Sequence, residues 1–120
     1  MRIYKQIDFA EWADDEGITD EMLKKSVEEV KQGLIDASLG AGLYKKRIAR
    51  QGQGKSAGCR VLFAFRKEDR AVFIYGFAKN EQNNISSTEK NVLKDVARYY
   101  LNMNSDSLTK LIGKELIEVL

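Results

Sequence analysis

Hydrophobic residues in the first third of the chain recur at the spacing of amphipathic helices. Asp8 and Glu11 have the spacing of a capping box and Gly17 is placed to end a helix, so a first helix is predicted over about residues 8–16. Thr19 can cap a second helix. The apolar positions of that second helix share one face at a period of 3.6 residues: Met22, Leu23, Val27, Val30 and Leu34.

The middle of the chain changes to the pattern of β-strands. Residues 43–49 alternate loosely, whereas residues 61–65 (VLFAF) and 71–77 (AVFIYGF) are apolar on both faces and rich in β-branched and aromatic residues. The last two segments are joined by five polar residues, which favours an antiparallel hairpin. Apolar residues on both faces predict central strands that helices partly cover.

The last third of the chain returns to helical spacing. Ser86 and Glu89 form a second capping-box signature, so a helix is predicted over about residues 87–101. Asn104 or Ser105 can cap a further short helix that ends near residue 110 or 111. The last six residues, ELIEVL, fit either a terminal strand or a frayed end. The order predicts an α+β fold: two N-terminal helices, a three-stranded antiparallel meander and one or two C-terminal helices, in a single domain over residues 1–120.

Composition narrows the class of protein. The 120 residues are 43% hydrophobic and 32% charged, which is ordinary for a globular domain. No apolar run approaches the roughly 18–20 residues of a membrane span, and the acidic N-terminal segment lacks the apolar core of a signal peptide. Cys59 is the single cysteine and histidine is absent, which argues against a disulfide or a zinc site. We therefore expect a cytoplasmic protein without a metal or small-molecule cofactor.

Charge is distributed unevenly along the chain, although the net charge is only +2. Residues 1–36 hold five Lys/Arg and ten Asp/Glu and carry −5. Residues 44–70 hold nine Lys/Arg against two Asp/Glu and carry +7. A basic block of this kind is typical of a surface that binds a polyanion such as RNA, and a merely solvated face is the alternative.

The glycine-rich segment 51–58, QGQGKSAG, predicts a loop between the first strand and the hairpin. Residues 49–56, ARQGQGKS, fit the relaxed pattern of a phosphate-binding loop with Ala49 in place of its first glycine. Such a loop leads from a buried parallel strand into a helix, whereas residues 59–65 continue as a strand. Nucleotide hydrolysis is therefore disfavoured, and a mobile basic loop is the better interpretation.

Several short runs within residues 43–87 carry a family resemblance: LYKKR, then GKS, then a hairpin ending in YGFAKNE and NIS. The chain resembles the RelE/HigB group of toxins from bacterial toxin–antitoxin pairs, over nearly its whole length. In that family, two N-terminal helices and a C-terminal helix flank the sheet. The resemblance implies ribosome-dependent, metal-independent cleavage of mRNA and neutralisation by a cognate antitoxin.

The resemblance also suggests residues for the site. Lys45, Lys46 and Arg47 correspond to the basic residues on the strand before the hairpin, Arg60 to the arginine that faces the scissile phosphate, and Lys79 to a basic or catalytic residue at a strand end. Many relatives have a tyrosine or histidines beyond that strand end. This chain has instead Asn80, Glu81, Asn83 and Asn84. The identity of the general base is left open.

The chemistry of RNA cleavage supports these candidates independently. The RNA's own 2′-hydroxyl is the nucleophile, and positive charge is needed where the phosphorane develops. Arginine stays charged and can grip two phosphate oxygens. Neighbouring cations favour the neutral form of a lysine, which makes Lys45, Lys55 and Lys79 candidates for proton transfer. The candidate catalytic residues are Arg60, Arg47, Lys79 and Lys55. The candidate RNA contacts are Lys45, Lys46, Arg50, Lys67, Tyr44 and Asn80, with Tyr75 as a second aromatic candidate.

Two functions stay open at this point. One is an RNA-cleaving toxin that acts on the ribosome and its mRNA. The other is a non-catalytic module that binds RNA or a protein, as ParE-type toxins inhibit gyrase. In either case, we expect the antitoxin to cover the basic face of the sheet or lock the loop of residues 51–58 with an acidic or hydrophobic segment.

Overall fold

The computed structural model describes residues 1–49, 58–79 and 84–120 of the chain. Its elements follow in the order β1 (Arg2–Gln6), α1 (Ile7–Asp15), α2 (Asp20–Lys31), β2 (Ala37–Gly40), β3 (Leu43–Ile48), β4 (Cys59–Arg66), β5 (Arg70–Ala78), α3 (Ser87–Asn102), α4 (Ser105–Lys110) and β6 (Leu116–Val119). This α+β arrangement confirms the predicted fold class. In the described part of the chain, no helix combines the length and hydropathy that crossing a membrane requires.

The described strands form one sheet of six in the order β2-β3-β4-β5-β1-β6. The predicted meander β3-β4-β5 is confirmed, with antiparallel pairing throughout. Strand β1 lies parallel to β5, and β6 pairs antiparallel with β1. The prediction of three strands is therefore corrected: β1 and β2 were not anticipated, and the C-terminal residues adopt the strand that was one of two alternatives.

Helices cover both faces of the sheet, which explains why β4 and β5 are apolar on both sides. One core lies under α1 and α2, and a separate core lies under α3 and α4. The fully buried members of the first core include Leu23, Val27, Cys59, Val61, Phe63, Ala71 and Phe73. Those of the second include Tyr4, Leu43, Leu62, Ala64, Val72, Ala97, Tyr100, Leu108 and Leu116.

Three of the predicted helix starts are confirmed by their caps. The Met22 N–H donates to Thr19 Oγ1 at 3.3 Å, the Glu89 N–H to Ser86 Oγ at 3.1 Å, and the Ser107 N–H to Asn104 Oδ1 at 2.8 Å. The fourth start is corrected. Helix α1 follows β1 without a loop, so its N-cap is Gln6, which makes no side-chain cap bond, and Asp8 lies inside the first turn.

The sequence pattern predicts that Leu34 continues the apolar face of α2. The structure ends that helix at Lys31, and Leu34 is 54% exposed. A glycine with positive φ, Gly33, turns the chain away directly after the C-cap.

A β-bulge in β5 decides which residues of this strand face α3. Leu62 pairs with Tyr75 and Phe63 pairs with Phe73, so Ile74 is the extra residue. The extra residue reverses the alternation, and Tyr75 and Phe77 therefore lie on the α3 face, opposite to Phe73. Between them, Gly76 faces α1, where a Cβ would come within 2.1 Å of the Trp12 ring.

Candidate functional site

Two arginines lie directly opposite each other on neighbouring strands. Arg47 of β3 pairs with Arg60 of β4. Strand residues two apart share a face of the sheet. Leu43 and Leu62 belong to the core under α3. Lys45 and Arg47 therefore share the α3 face with Leu43, and Arg60 shares it with Leu62. Like charges directly opposite destabilise a sheet. The pair therefore suggests a surface built to bind an anion.

The guanidinium of Arg60 has an unused donor. Its Nη1 atom is buried and makes no hydrogen bond to any described residue. On its other side Arg60 pairs with Phe77, whose buried ring cannot accept a conventional hydrogen bond. A buried guanidinium N–H without an acceptor is costly, and phosphate oxygens match the geometry of its donors.

Two further cations, Lys45 and Lys79, lie near these arginines. We call the four residues together the basic cluster: Lys45, Arg47, Arg60 and Lys79. Lys45 Nζ donates to Asn84 Oδ1 at 3.3 Å. Lys79 is exposed just beyond β5, where its N–H donates to the Gly58 carbonyl at 3.1 Å and so extends the β4-β5 pairing. Because side chains two apart on a strand share a face, Lys79 lies on the α3 face with Tyr75 and Phe77.

An acidic residue also reaches this end of the sheet. The backbone N–H of Arg47 donates to the Asp36 carboxylate, which precedes β2. Sequence patterns did not single out Asp36, because only the β2-β3 pairing brings it beside the cluster. Among the described residues, no three His, Cys, Asp or Glu side chains are grouped so that they could hold a metal ion.

Two of the predicted RNA contacts lie on the opposite face of the sheet. Lys46 is 9% exposed; its Nζ donates to the Leu34 carbonyl at 3.0 Å and lies 3.6 Å from Glu29 Oε1. Tyr44 packs under α2 with its ring edge-on to Phe65, 5.6 Å between centroids. The structure brings neither residue to the basic cluster.

The cations at the β4-β5 turn form a separate group. Lys67 is exposed in that turn, seven positions along the chain from Arg60, or roughly 23 Å at the rise of a strand. Arg66 donates to the Leu101 carbonyl at 2.7 Å, and Arg70 to the Tyr100 and Met103 carbonyls at 2.9 and 2.6 Å. These two arginines hold the C-terminal end of α3, so the +7 block does not form one surface.

Three of the predicted site residues, Arg50, Lys55 and Asn80, lie outside the described residues, as does most of the loop of residues 51–58. Their assignment stays a prediction.

An open groove of about 260 Å³ lies between β5 and the start of α3. Its lining residues are Tyr75, Thr88, Glu89, Val92 and Leu93. The Tyr75 hydroxyl donates to Glu89 Oε2 at 3.3 Å. The Ser86 N–H donates to Glu89 Oε1 at 3.0 Å, and this backbone hydrogen bond is the main reason that the pKa of Glu89 lies below its usual value.

The capping-box spacing identified Glu89, but only as a helix cap. Its contact with Tyr75 depends on the bulge in β5, which has no signature in the sequence.

Comparison with known proteins agrees with this architecture. The family described as RelE toxin of RelE / RelB toxin-antitoxin system matches residues 1–119. No curated protein matches the chain significantly. The family match spans the sheet, the helices on both faces and the basic cluster. It implies an antitoxin partner. The chain belongs to the RelE toxin family.

Proposed function

We propose that this toxin is an endoribonuclease that cuts mRNA on the ribosome, with Arg60 as the residue that stabilises the transition state. The observation that carries the proposal is the buried Nη1 of Arg60, which has no hydrogen-bond partner among the described residues and belongs to an arginine directly opposite a second one. Like charges directly opposite each other and a buried guanidinium N–H without an acceptor are both unfavourable in the free protein. A phosphate that moves toward a phosphorane supplies the missing negative charge.

The reaction needs no reactant beyond the RNA. The 2′-oxygen attacks the adjacent phosphorus, the bond from phosphorus to the 5′-oxygen breaks, and the products are a 2′,3′-cyclic phosphate and a 5′-hydroxyl. The 2′-oxygen loses a proton and the 5′-oxygen gains one. Arg47 and Arg60 bind the non-bridging oxygens, since arginine stays charged. Lys45 and Lys79 are the members of the basic cluster that can transfer a proton.

The basic cluster lies at one end of the sheet face that α3 covers. Helix α3 meets the sheet at Tyr75 and runs toward the β4-β5 turn, where Leu101 accepts from Arg66. Arg47 and Arg60 lie beyond the start of α3, at the other end of the same face. Regulation follows from the same surface: the antitoxin binds the basic cluster with an acidic or hydrophobic segment and so excludes RNA.

The test is induced expression in a bacterium with mapping of transcript 5′-ends. Wild type is expected to arrest growth and to cut messages within their coding regions. Arg60→Met is expected to do neither while it stays folded, and Lys67→Ala, a cation of the same hairpin outside the cluster, should behave as wild type. Growth arrest with intact messages and stalled replication would contradict the proposal and favour a gyrase-directed toxin.

A further inference from the structure

Two lysines of α3 lie on the side of the helix that faces β2 and β3. A Cβ on Gly40, at the β2-β3 turn, would come within 3.3 Å of Lys94 Nζ, so this ammonium lies directly over the turn. Lys90 is one turn earlier on the same side, with its Cβ roughly 5–6 Å away. Both lysines are half-buried, whereas Asn91 and Asp95 on the outer side of the helix are exposed. The two lysines therefore lie along the seam between α3 and the sheet.

This seam leads to the basic cluster. Lys45 Nζ donates to Asn84 Oδ1 at 3.3 Å, and Asn84 comes directly before α3, so the helix begins beside the cluster. At the other end of the seam, β3 starts next to the β2-β3 turn, four residues before Arg47. Four residues of strand span roughly 13 Å. Lys90 lies between these two ends, and Lys94 lies at the far one.

The charge of these lysines is not neutralised within the described part of the chain. Neither Lys90 nor Lys94 has an ion pair with a described residue. The two acids nearest to them along α3 are engaged elsewhere. Glu89 accepts hydrogen bonds at the start of the helix, and Asp95 pairs with Arg98 at 2.8 Å. Unpaired cations that continue from a basic cluster are typical of a surface that binds a polyanion.

We propose that Lys90 and Lys94 bind backbone phosphates of the mRNA on one side of the cut, so that the strand follows the seam from the basic cluster toward the β2-β3 turn. The proposal rests on the function proposed above and specifies how far the substrate is held beyond the scissile phosphate. Each ammonium is a point charge on a flexible four-carbon stem, so it binds a phosphate without reading a base. A row of cations that tracks the backbone is how single strands are held regardless of sequence.

The test measures binding of oligonucleotides whose riboses carry 2′-O-methyl groups, which lack the nucleophile and stay intact. Fluorescence anisotropy on the full chain compares a trinucleotide with a strand of about 10 nucleotides. For the longer strand, the double variant Lys90→Ala, Lys94→Ala should reduce the slope of log K against log salt by about 1.4. Between about 50 and 200 mM salt, wild type should then lose roughly 7-fold more affinity than the variant. The trinucleotide, which the basic cluster alone can hold, should bind both chains equally.

The matched control is the double variant Lys110→Ala, Lys114→Ala, which removes the same charge from two exposed lysines. They lie in and after α4, which contacts β1 where Arg2 donates to Thr109 Oγ1 at 2.8 Å. In the sheet, β1 is separated from β3 by β4 and β5. The control should therefore bind both oligonucleotides as wild type does. Alanine is a strong helix former, so α3 is retained in the test variant, which circular dichroism checks.

The outcomes separate this proposal from the proposed function. Equal slopes for wild type and the Lys90, Lys94 variant with the longer strand would overturn the proposal, and so would an equal reduction in the control. Unchanged oligonucleotide binding together with weaker ribosome binding would also overturn it, since the two lysines would then contact ribosomal RNA. Failure of wild type to cut messages would overturn the proposed function alone, because the binding measurement involves no cleavage.

Discussion

Replacing Arg60 by methionine should stabilise the fold while it removes toxicity. The substitution keeps an unbranched apolar stem against the sheet and removes the guanidinium. A buried polar group without a partner costs about 1–3 kcal/mol, and like charges directly opposite on neighbouring strands cost about 0.2–1 kcal/mol. Because Arg60 is only partly buried, we expect a gain of about 1–2 kcal/mol, or roughly 3–9 °C in Tm for a domain of this size.

The assay is urea and thermal unfolding of the purified chain, free of antitoxin, beside growth tests of the same variant. Arg70→Met is the matched control, because Arg70 is 3% exposed and donates to two carbonyls of the α3 terminus. Its loss leaves those acceptors unsatisfied and should cost about 3 kcal/mol or more.

A loss of more than about 1 kcal/mol on Arg60→Met would refute the reasoning, since it would mean that the folded chain itself satisfies this guanidinium. A stabilised variant that remains toxic would remove Arg60 from the site while leaving the account of its burial intact.

Two further predictions concern charge. Binding to RNA or ribosomes should fall steeply with salt. Lys45→Ala should reduce the slope of log K against log salt by about 0.7, whereas Lys67→Ala should leave the slope unchanged. Equal slopes for wild type and both variants would contradict the assignment of RNA binding to the basic cluster. Burial alone would raise the pKa of Asp69, but hydrogen bonds from Arg66 and Arg70 outweigh it and lower the pKa. The ionised form therefore stabilises the fold above the unfolded pKa of about 4, and this contribution is lost as pH falls through the folded value. Urea unfolding across that range should show wild type losing its advantage over Asp69→Asn, and an advantage that does not change with pH would contradict the assignment.

Local sequence patterns determined the helices α2, α3 and α4 and the hairpin β4-β5. Thr19, Ser86 and Asn104 cap their helices through hydrogen bonds within three residues, so their signal is contained in a short stretch of chain. The family resemblance selected Arg60 and Arg47, and the structure places them opposite each other. Whether they act in cleavage stays a prediction.

The tertiary structure alone decided how the basic block is divided. Lys45 and Lys46 are adjacent in sequence, yet alternation sends one to the basic cluster and the other to Glu29 under α2. Strand β1 mixes polar and apolar residues, and it joins the meander only by pairing with β5, in which each residue pairs with one 68 positions later in the chain. The bulge at Ile74 turns Tyr75 toward Glu89. These features depend on which strands meet and in what register, and those pairings are set by packing between distant residues rather than by local hydrogen bonds.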